Sequence, residues 1–429
     1  MNIASDANLE RNFAERQDAE DTLASLRGAF HIPTRSDGRL GAYLCGHSLG
    51  LQPKAVATII AEELDSWAQR AVDGHFDSTR PWLSYHEALA PALARLVGAL
   101  PIEVVAMNTL TVNLHLMLAT FYRPTQERHK ILIERRAFSS DRYAVAAQIR
   151  HHGFDPATAL IELGPRDGED LLRTEDICER IEREAATIAT VMLPGVQYLT
   201  GQRLDLHAIT RCARRHGCLV GFDLAHAIGN TPLQLHDWDA DFAVWCSYKY
   251  LNSGPGAIGG CFVHERHAHA FELPRLAGWW GHDKASRFRM LDEFRPLPGA
   301  EGWQISNLPI LSTAPLLASL SLFDQAGLPA LRAKSVRLTA YLESLLDAQV
   351  RDALTIITPR DPDARGCQLS LRLHRDPKRA RAVFDALAQR GFVGDWREPD
   401  VIRVAPIPMY NRFVEVWEFV SALKEELHR

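Results

Sequence analysis

The chain has 429 residues, 46% of them hydrophobic, enough for two or three structural units around a sizeable core. Its 48 basic and 53 acidic residues give a net charge of −5 with no basic run, which argues against nucleic acid as a partner. No apolar run approaches the ~18 residues of a membrane span, Met1 to Asp6 lacks a signal-peptide pattern, and the seven cysteines are scattered without a CxxC. A cytoplasmic protein with no membrane partner is expected.

Residues 1–50 are expected to pack beside the C-terminal region. Asn108 to Leu114 opens an apolar helix running to about Phe121, whose first-turn N–H groups and Thr111 hydroxyl suit a phosphate. The alternative for this segment is a plain helix cap. Lys130 to Glu134 reads as a strand, with a helix around 142–150 after it. Ile188 to Leu193 is the next strand, preceded by a helix that Thr174 can cap. A helix over 204–216 ends at Gly217, a left-handed terminator. Cys218 to Phe222, Phe242 to Cys246 and Gly260 to His264 are apolar strands. Strands apolar on both faces and separated by helices predict an α/β fold with a mostly parallel central sheet covered by helices. Beyond about 330 the pattern becomes helix, short strands (354–358, 368–373), helix, strand (401–405) and helix. The chain therefore divides into 1–50, a large unit over 51–325 and a smaller α+β unit over 326–429.

The chemistry centres on Lys249. The chain has seven lysines; Lys249 alone lies between an apolar strand and a glycine-rich loop, where a desolvated amine can act as a nucleophile. A strand-ending lysine reaching to water is the plainer reading. Asp223, 26 positions upstream, ends the preceding apolar strand. An acid ending one strand and a lysine ending the next suit pyridoxal 5'-phosphate: the lysine forms the Schiff base and the carboxylate holds a proton on the ring nitrogen. Phe138 can stack on such a ring and Asp141 can orient a polar group of it. His226 is placed to hydrogen-bond nearby, although a satisfied core histidine is equally compatible with its position.

Several motifs point elsewhere. Gly46-His47-Ser48-Leu49-Gly50 matches the hydrolase nucleophile elbow, but it comes before any sheet is built. Gly254 to Gly259 matches G-x-G-x-x-G, but a strand follows instead of the helix a dinucleotide needs. His264, His267 and His269 read as a solvated cluster, so no metal is expected. Cys367 has the composition of a persulfide-forming cysteine, but an inert buried one is commoner.

Taken together, Gly46 to Pro53, Arg80-Pro81-Trp82, Met107 to His115, Gly221 to Ala227, His236-Asp237-Trp238, Cys246 to Asn252, Gly278 to His282, Ile305-Ser306-Asn307 and Ile402 to Pro406 resemble kynureninase, in this order and over most of the chain. That family has the aspartate aminotransferase fold, PLP fold type I. The resemblance implies a cofactor site of Leu110, Thr111, Phe138, Ser139, Ser140, Asp141, Asp223, His226, Tyr248 and Lys249. It implies a homodimer with the active site at the subunit interface, where Trp279 and Asn307 enter from the partner. It further implies that Arg403 grips the substrate α-carboxylate and that His75 contacts the substrate ring. Lys249, Asp223 and Tyr248 would carry catalysis. Pro194 stands where relatives can carry a hydroxyl, and Ser139 replaces a frequent proline. The implied reaction is hydrolytic Cβ–Cγ cleavage of L-kynurenine or 3-hydroxy-L-kynurenine to anthranilate or 3-hydroxyanthranilate plus L-alanine, in tryptophan degradation and NAD precursor synthesis. The alternatives are another fold-type-I enzyme, an aminotransferase or cysteine desulfurase, and a non-enzymatic regulator, which would need a fused DNA-binding segment.

Overall fold

A computed structural model describes residues 9–35, 38 and 40–429. Its centre is a seven-stranded sheet. In chain order the strands are β1 (Val104–Ala106), β2 (Lys130–Glu134), β3 (Leu160–Leu163), β4 (Ile188–Pro194), β5 (Leu219–Asp223), β6 (Phe242–Cys246) and β7 (Gly259–Val263), and in space they run β1-β7-β6-β5-β4-β2-β3. The pairs β3–β2, β2–β4, β4–β5 and β5–β6 are parallel; β7 runs antiparallel to both β6 and β1. The expected mostly parallel sheet is therefore present.

Alternate side chains of these strands enter two hydrophobic clusters, one on each face. Leu132, Val191, Phe222 and Trp245 pack on one side, while Ile131, Ile133, Met192 and Val244 pack on the other. This double burial is why the strands read as continuous apolar runs.

The sequence reading missed β1 and β3, which form the two edges of the sheet. Both are short, and one edge runs antiparallel, so neither has the long apolar run of a central strand. Thr174 does not cap its helix. It is the first residue of the helix Thr174–Glu184, and Arg173 occupies the cap with no side-chain bond. The acidic first turn, Glu175 and Asp176, faces the positive helix end instead. The next helix is Leu206–Arg215, shorter than expected, with Asp205 accepting from the Ala208 amide at 2.9 Å and Gly217 at φ +69° beyond it.

The C-terminal region forms an antiparallel four-stranded sheet of β8 (Leu354–Ile356), β9 (Leu369–Leu373), β10 (Asp395–Arg397) and β11 (Val401–Val404), ordered β10-β11-β9-β8. The helices Leu328–Gln349, Pro377–Gln389 and Phe413–His428 cover it and contribute to a third cluster, which also takes in Phe13, Ala14, Ala42 and Leu44. Polar contacts tie the N-terminal segment to this unit. Asp18 accepts from the Phe413 and Val414 amides at 2.6 and 3.1 Å, capping the last helix, and Lys334 Nζ meets Asp21 at 2.7 Å in a buried ion pair. Among the described residues no helix is long and apolar enough to cross a membrane.

Candidate active site

The parallel strands β2, β4, β5 and β6 end at one edge of the sheet, the place where ligands bind in open α/β folds. Register aligns those ends: Pro194 lies opposite Asp223, and Asp223 opposite Val244. The residues at or just past the strand ends, Glu134, Pro194, Asp223, Tyr248 and Lys249, line one cleft with Leu110, Thr111, Phe138, Ser140, Asp141, Val196, Tyr198, Ala225 and His226.

Lys249 is half-buried, and its Nζ lies 5.7 Å from the Phe138 ring centroid and 5.9 Å from that of Tyr248. Asp223 is buried and its Oδ1 accepts from the Ala225 amide at 2.7 Å. Asp141 lines the cleft with Asp223, and its carboxyl is held well above the usual range by burial and by the Asp223 charge. Burial drives His226 well below the ordinary histidine value, with Lys249 and Arg403 adding to the effect, so its ring is neutral. Tyr248 is raised, chiefly by burial, so its hydroxyl keeps its proton at neutral pH.

Two helices begin beside these groups, α1 (Leu110–Phe121) and α2 (Ser139–His151), neither with a side-chain cap. Their first turns meet where the Thr111 and Ser140 hydroxyls approach to 2.7 Å. The loop before α1 is held by Asn113, which donates to the Met107 carbonyl at 2.8 Å and accepts from Asn108 at 3.0 Å. First-turn amides without a side-chain cap, next to two hydroxyls, form an anion site.

A cofactor fit can be judged on open valences. Asp141 Oδ1 and His226 Nδ1 are buried without a hydrogen-bond partner among the described residues. An amine, paired carboxyl groups, an aromatic face and a helix-end anion site around one cleft fit pyridoxal phosphate.

Other expected residues lie outside this cleft. Ser139 starts α2 but is exposed, as are Asn307 and Trp279, the last at 44% exposure with its indole N–H donating to the Arg287 carbonyl at 3.0 Å. His75 is half-buried, its Nδ1 3.0 Å from the Val72 carbonyl and its ring against Trp82. Arg403, on β11, is 1% exposed, with Nε donating to Asp395 Oδ2 at 2.6 Å and Nη1 to the Tyr198 carbonyl.

The structure adds Glu134 and Tyr198 to the cleft, and His47 behind it with its ring 6.3 Å from that of His226. Glu134 ends one strand legible in the sequence and Tyr198 follows another, so their position at or past a parallel strand end was the available signal. A larger cavity of about 700 Å³ runs from His31 to Pro315 past Leu51 and Gly254; its wall is mainly apolar, and the chemistry belongs to the cleft.

The alternative motifs resolve structurally. Gly46 and Gly50 are packing positions: a Cβ at Gly50 would lie 2.4 Å from the Lys249 carbonyl oxygen, and one at Gly46 2.3 Å from the Tyr410 hydroxyl. His267 bonds Asp241 at 2.9 Å and His264 contacts the His236 carbonyl at 3.2 Å. Cys367 is buried, which pushes its thiol up to about 12 and leaves no reactive thiolate.

Known proteins share the fold and identify the family. The class-V aminotransferase family model matches residues 42–375, which places the chain in a class of pyridoxal-phosphate enzymes. Solved structures share the fold: a cysteine desulfurase from Escherichia coli has a TM-score of 0.76 at 18% identity, covering 95% of this chain and 98% of that one. An apo cysteine desulfurase from Thermococcus onnurineus has a TM-score of 0.74 at 18% identity, covering 90% and 95%. Within the class, a model of the kynureninase C-terminal domain matches residues 331–423. Kynureninase from Myxococcus xanthus is 58% identical over 96% of both chains, and that from Koribacter versatilis 55% identical over 97% of this chain and 98% of its own. The chain belongs to the kynureninase family.

Proposed function

We propose that the chain hydrolyses the Cβ–Cγ bond of L-kynurenine or 3-hydroxy-L-kynurenine, giving L-alanine and the corresponding anthranilate. The observation that carries this is the pairing of Lys249 with the Asp141–Asp223 carboxyl pair in one cleft, in a chain so similar to kynureninases. Bound pyridoxal phosphate supplies an electron sink for charge developing at Cα and Cβ of the amino acid. Lys249 Nζ takes the Cα proton. Asp223 holds a proton at the ring-nitrogen end, and Asp141 orients Asp223. The neutral ring of His226 packs without adding charge. Tyr248, with its proton retained, donates to the carbon that leaves as alanine. Leu110, Thr111, Ser139 and Ser140, at the helix starts, would hold the phosphate, Ser139 through its backbone position at the start of α2. Phe138 covers the ring face.

Arg403 binds the substrate α-carboxylate through N–H groups not spent on Asp395. The exposed Trp279 and Asn307 fit a homodimer in which they enter the partner's cleft, and His75 contacts the substrate ring beside them. The units 51–325 and 326–429, with 1–50 on the latter, form part of this reading, supported by a C-terminal cluster that takes in Phe13, Ala14, Ala42 and Leu44, while Leu26, Phe30 and Leu331 join the cluster of the large sheet. A desulfurase reading is disfavoured by the buried, inert Cys367. Incubation with each kynurenine tests the assignment: an anthranilate with an equal amount of alanine is expected, and keto acid or sulfide from other amino acids, with no anthranilate, refutes it.

A further inference from the structure

Glu134 ends β2 and is 2% exposed. With Asp141 and Asp223 it makes three carboxyl groups around one cleft. Its Oε1 accepts from Gln197 Nε2 at 3.5 Å, while its Oε2 has no partner among the described residues. Gln197 cannot turn its amide round, because its own oxygen accepts from the Leu199 and Thr200 amides at 2.6 and 2.9 Å. A buried carboxyl with one bare oxygen, beside two further carboxyl groups, is placed to carry a proton.

A second, polar cavity of about 310 Å³ lies on the other side of Glu134. Among the described residues Glu134 is the one that lines both this cavity and the cleft. Around the outer cavity Arg166 pairs with Asp176, Arg372 with Asp170 and Arg173 with Glu169, leaving exposed Arg135, Arg136 and Asp167. From the cleft side, Asp223 of β5, Asp141 of α2 and Lys249 face it.

Resting on the pyridoxal-phosphate reading above, we infer that Glu134 is a proton-holding positioning residue, a neutral acid that exchanges protons between water in the outer cavity and the Asp141–Asp223 pair. The proton leaves Glu134 with the bonding pair staying on its oxygen and forms an O–H bond on the pair only as the pair releases the proton it already holds into the cleft. Glu134 then takes a proton from a hydronium ion in the outer cavity, which leaves water behind. Burial pushes the Glu134 carboxyl up to about 8, the Asp223 charge adds to this, and the Gln197 hydrogen bond opposes it.

The test is the affinity of apo-protein for pyridoxal phosphate as pH rises through this range. Ionised Glu134 puts a negative charge near the cofactor's ring cation. Parental affinity is therefore expected to rise around pH 8, by at most about tenfold per pH unit for one linked proton. Proton exchange at Lys249 is common to all variants, so the readout is the difference from Glu134→Gln, in which this component disappears. Gln197→Met removes the hydrogen bond that favours the charged form, so the inflection moves to higher pH. Parental pH dependence in Glu134→Gln, or no inflection in the parent, overturns the inference. If Glu134→Gln does not fold, as judged by circular dichroism, the Gln197→Met titration decides, and an unmoved inflection overturns it. Cofactor affinity does not depend on which amino acid is cleaved. Failure here therefore leaves kynurenine turnover standing, and failed turnover leaves this result standing.

Discussion

Arg403→Ala tests the substrate grip. In the free protein the guanidinium is 1% exposed, with Nε and Nη2 on Asp395 and Nη1 on the Tyr198 carbonyl. An arginine has five N–H donors, so two remain for an incoming carboxylate. A hydrogen bond to a charged group contributes about 1.5–3 kcal/mol. At ~1.4 kcal/mol per factor of ten, losing one such bond raises KM by roughly 10- to 150-fold; losing both raises it further. The variant also leaves Asp395 without its buried partner, which lowers the melting temperature. The two effects separate in Arg403→Lys, where the charge opposite Asp395 survives but the planar fork does not. That variant should recover stability while KM stays well above the parent value. Steady-state kinetics with saturating cofactor, run beside thermal melts, provide both readouts. A KM for Arg403→Ala equal to the parent's refutes the role.

Lys249→Ala should abolish turnover and the visible absorbance of covalently held cofactor; a variant that keeps both removes Lys249 from the chemistry. Asp223→Asn should fold but lose most activity, because a neutral amide cannot hold the ring proton by charge. Unchanged kcat with cofactor saturating would move the ring partner elsewhere. The parent should have the higher specificity constant for 3-hydroxykynurenine, because a buried ring hydroxyl needs a partner that His75 or Asn307 supplies. Replacing both by apolar residues should shift preference to kynurenine; a parent that already prefers kynurenine refutes this.

The large sheet was legible where burial on both faces made the pattern continuous. Ile188 to Leu193 and Phe242 to Cys246 are unbroken apolar runs, and the structure extends the first by one residue and reproduces the second. The edges were not legible, since Val104–Ala106 has three residues and Leu160–Leu163 has one fully buried position. Asp223 and Lys249 stood out because a charged residue ending an apolar strand has few structural explanations. Glu134 ends a strand in the same way, but in the sequence it stood only as the end of the Lys130–Glu134 strand, because no partner residue at a telling spacing set it apart. Family resemblance alone assigns Trp279 and Asn307 to a partner's cleft and His75 to the substrate ring, because no periodicity in one chain encodes such placements.

The packing of Gly46 and Gly50 has a mechanical consequence. The Cys45 backbone bridges Ala405, two residues beyond Arg403, and the Gly50 amide donates to the Tyr248 carbonyl at 2.7 Å, directly before Lys249. Cys45 to Gly50 therefore form a strut between the arginine assigned to the substrate and the lysine assigned to the cofactor. The clearances at both glycines are too small for any side chain, so the strut has no slack. The backbone contacts at its two ends thus couple the C-terminal sheet, through one short turn, to the loop that carries Lys249.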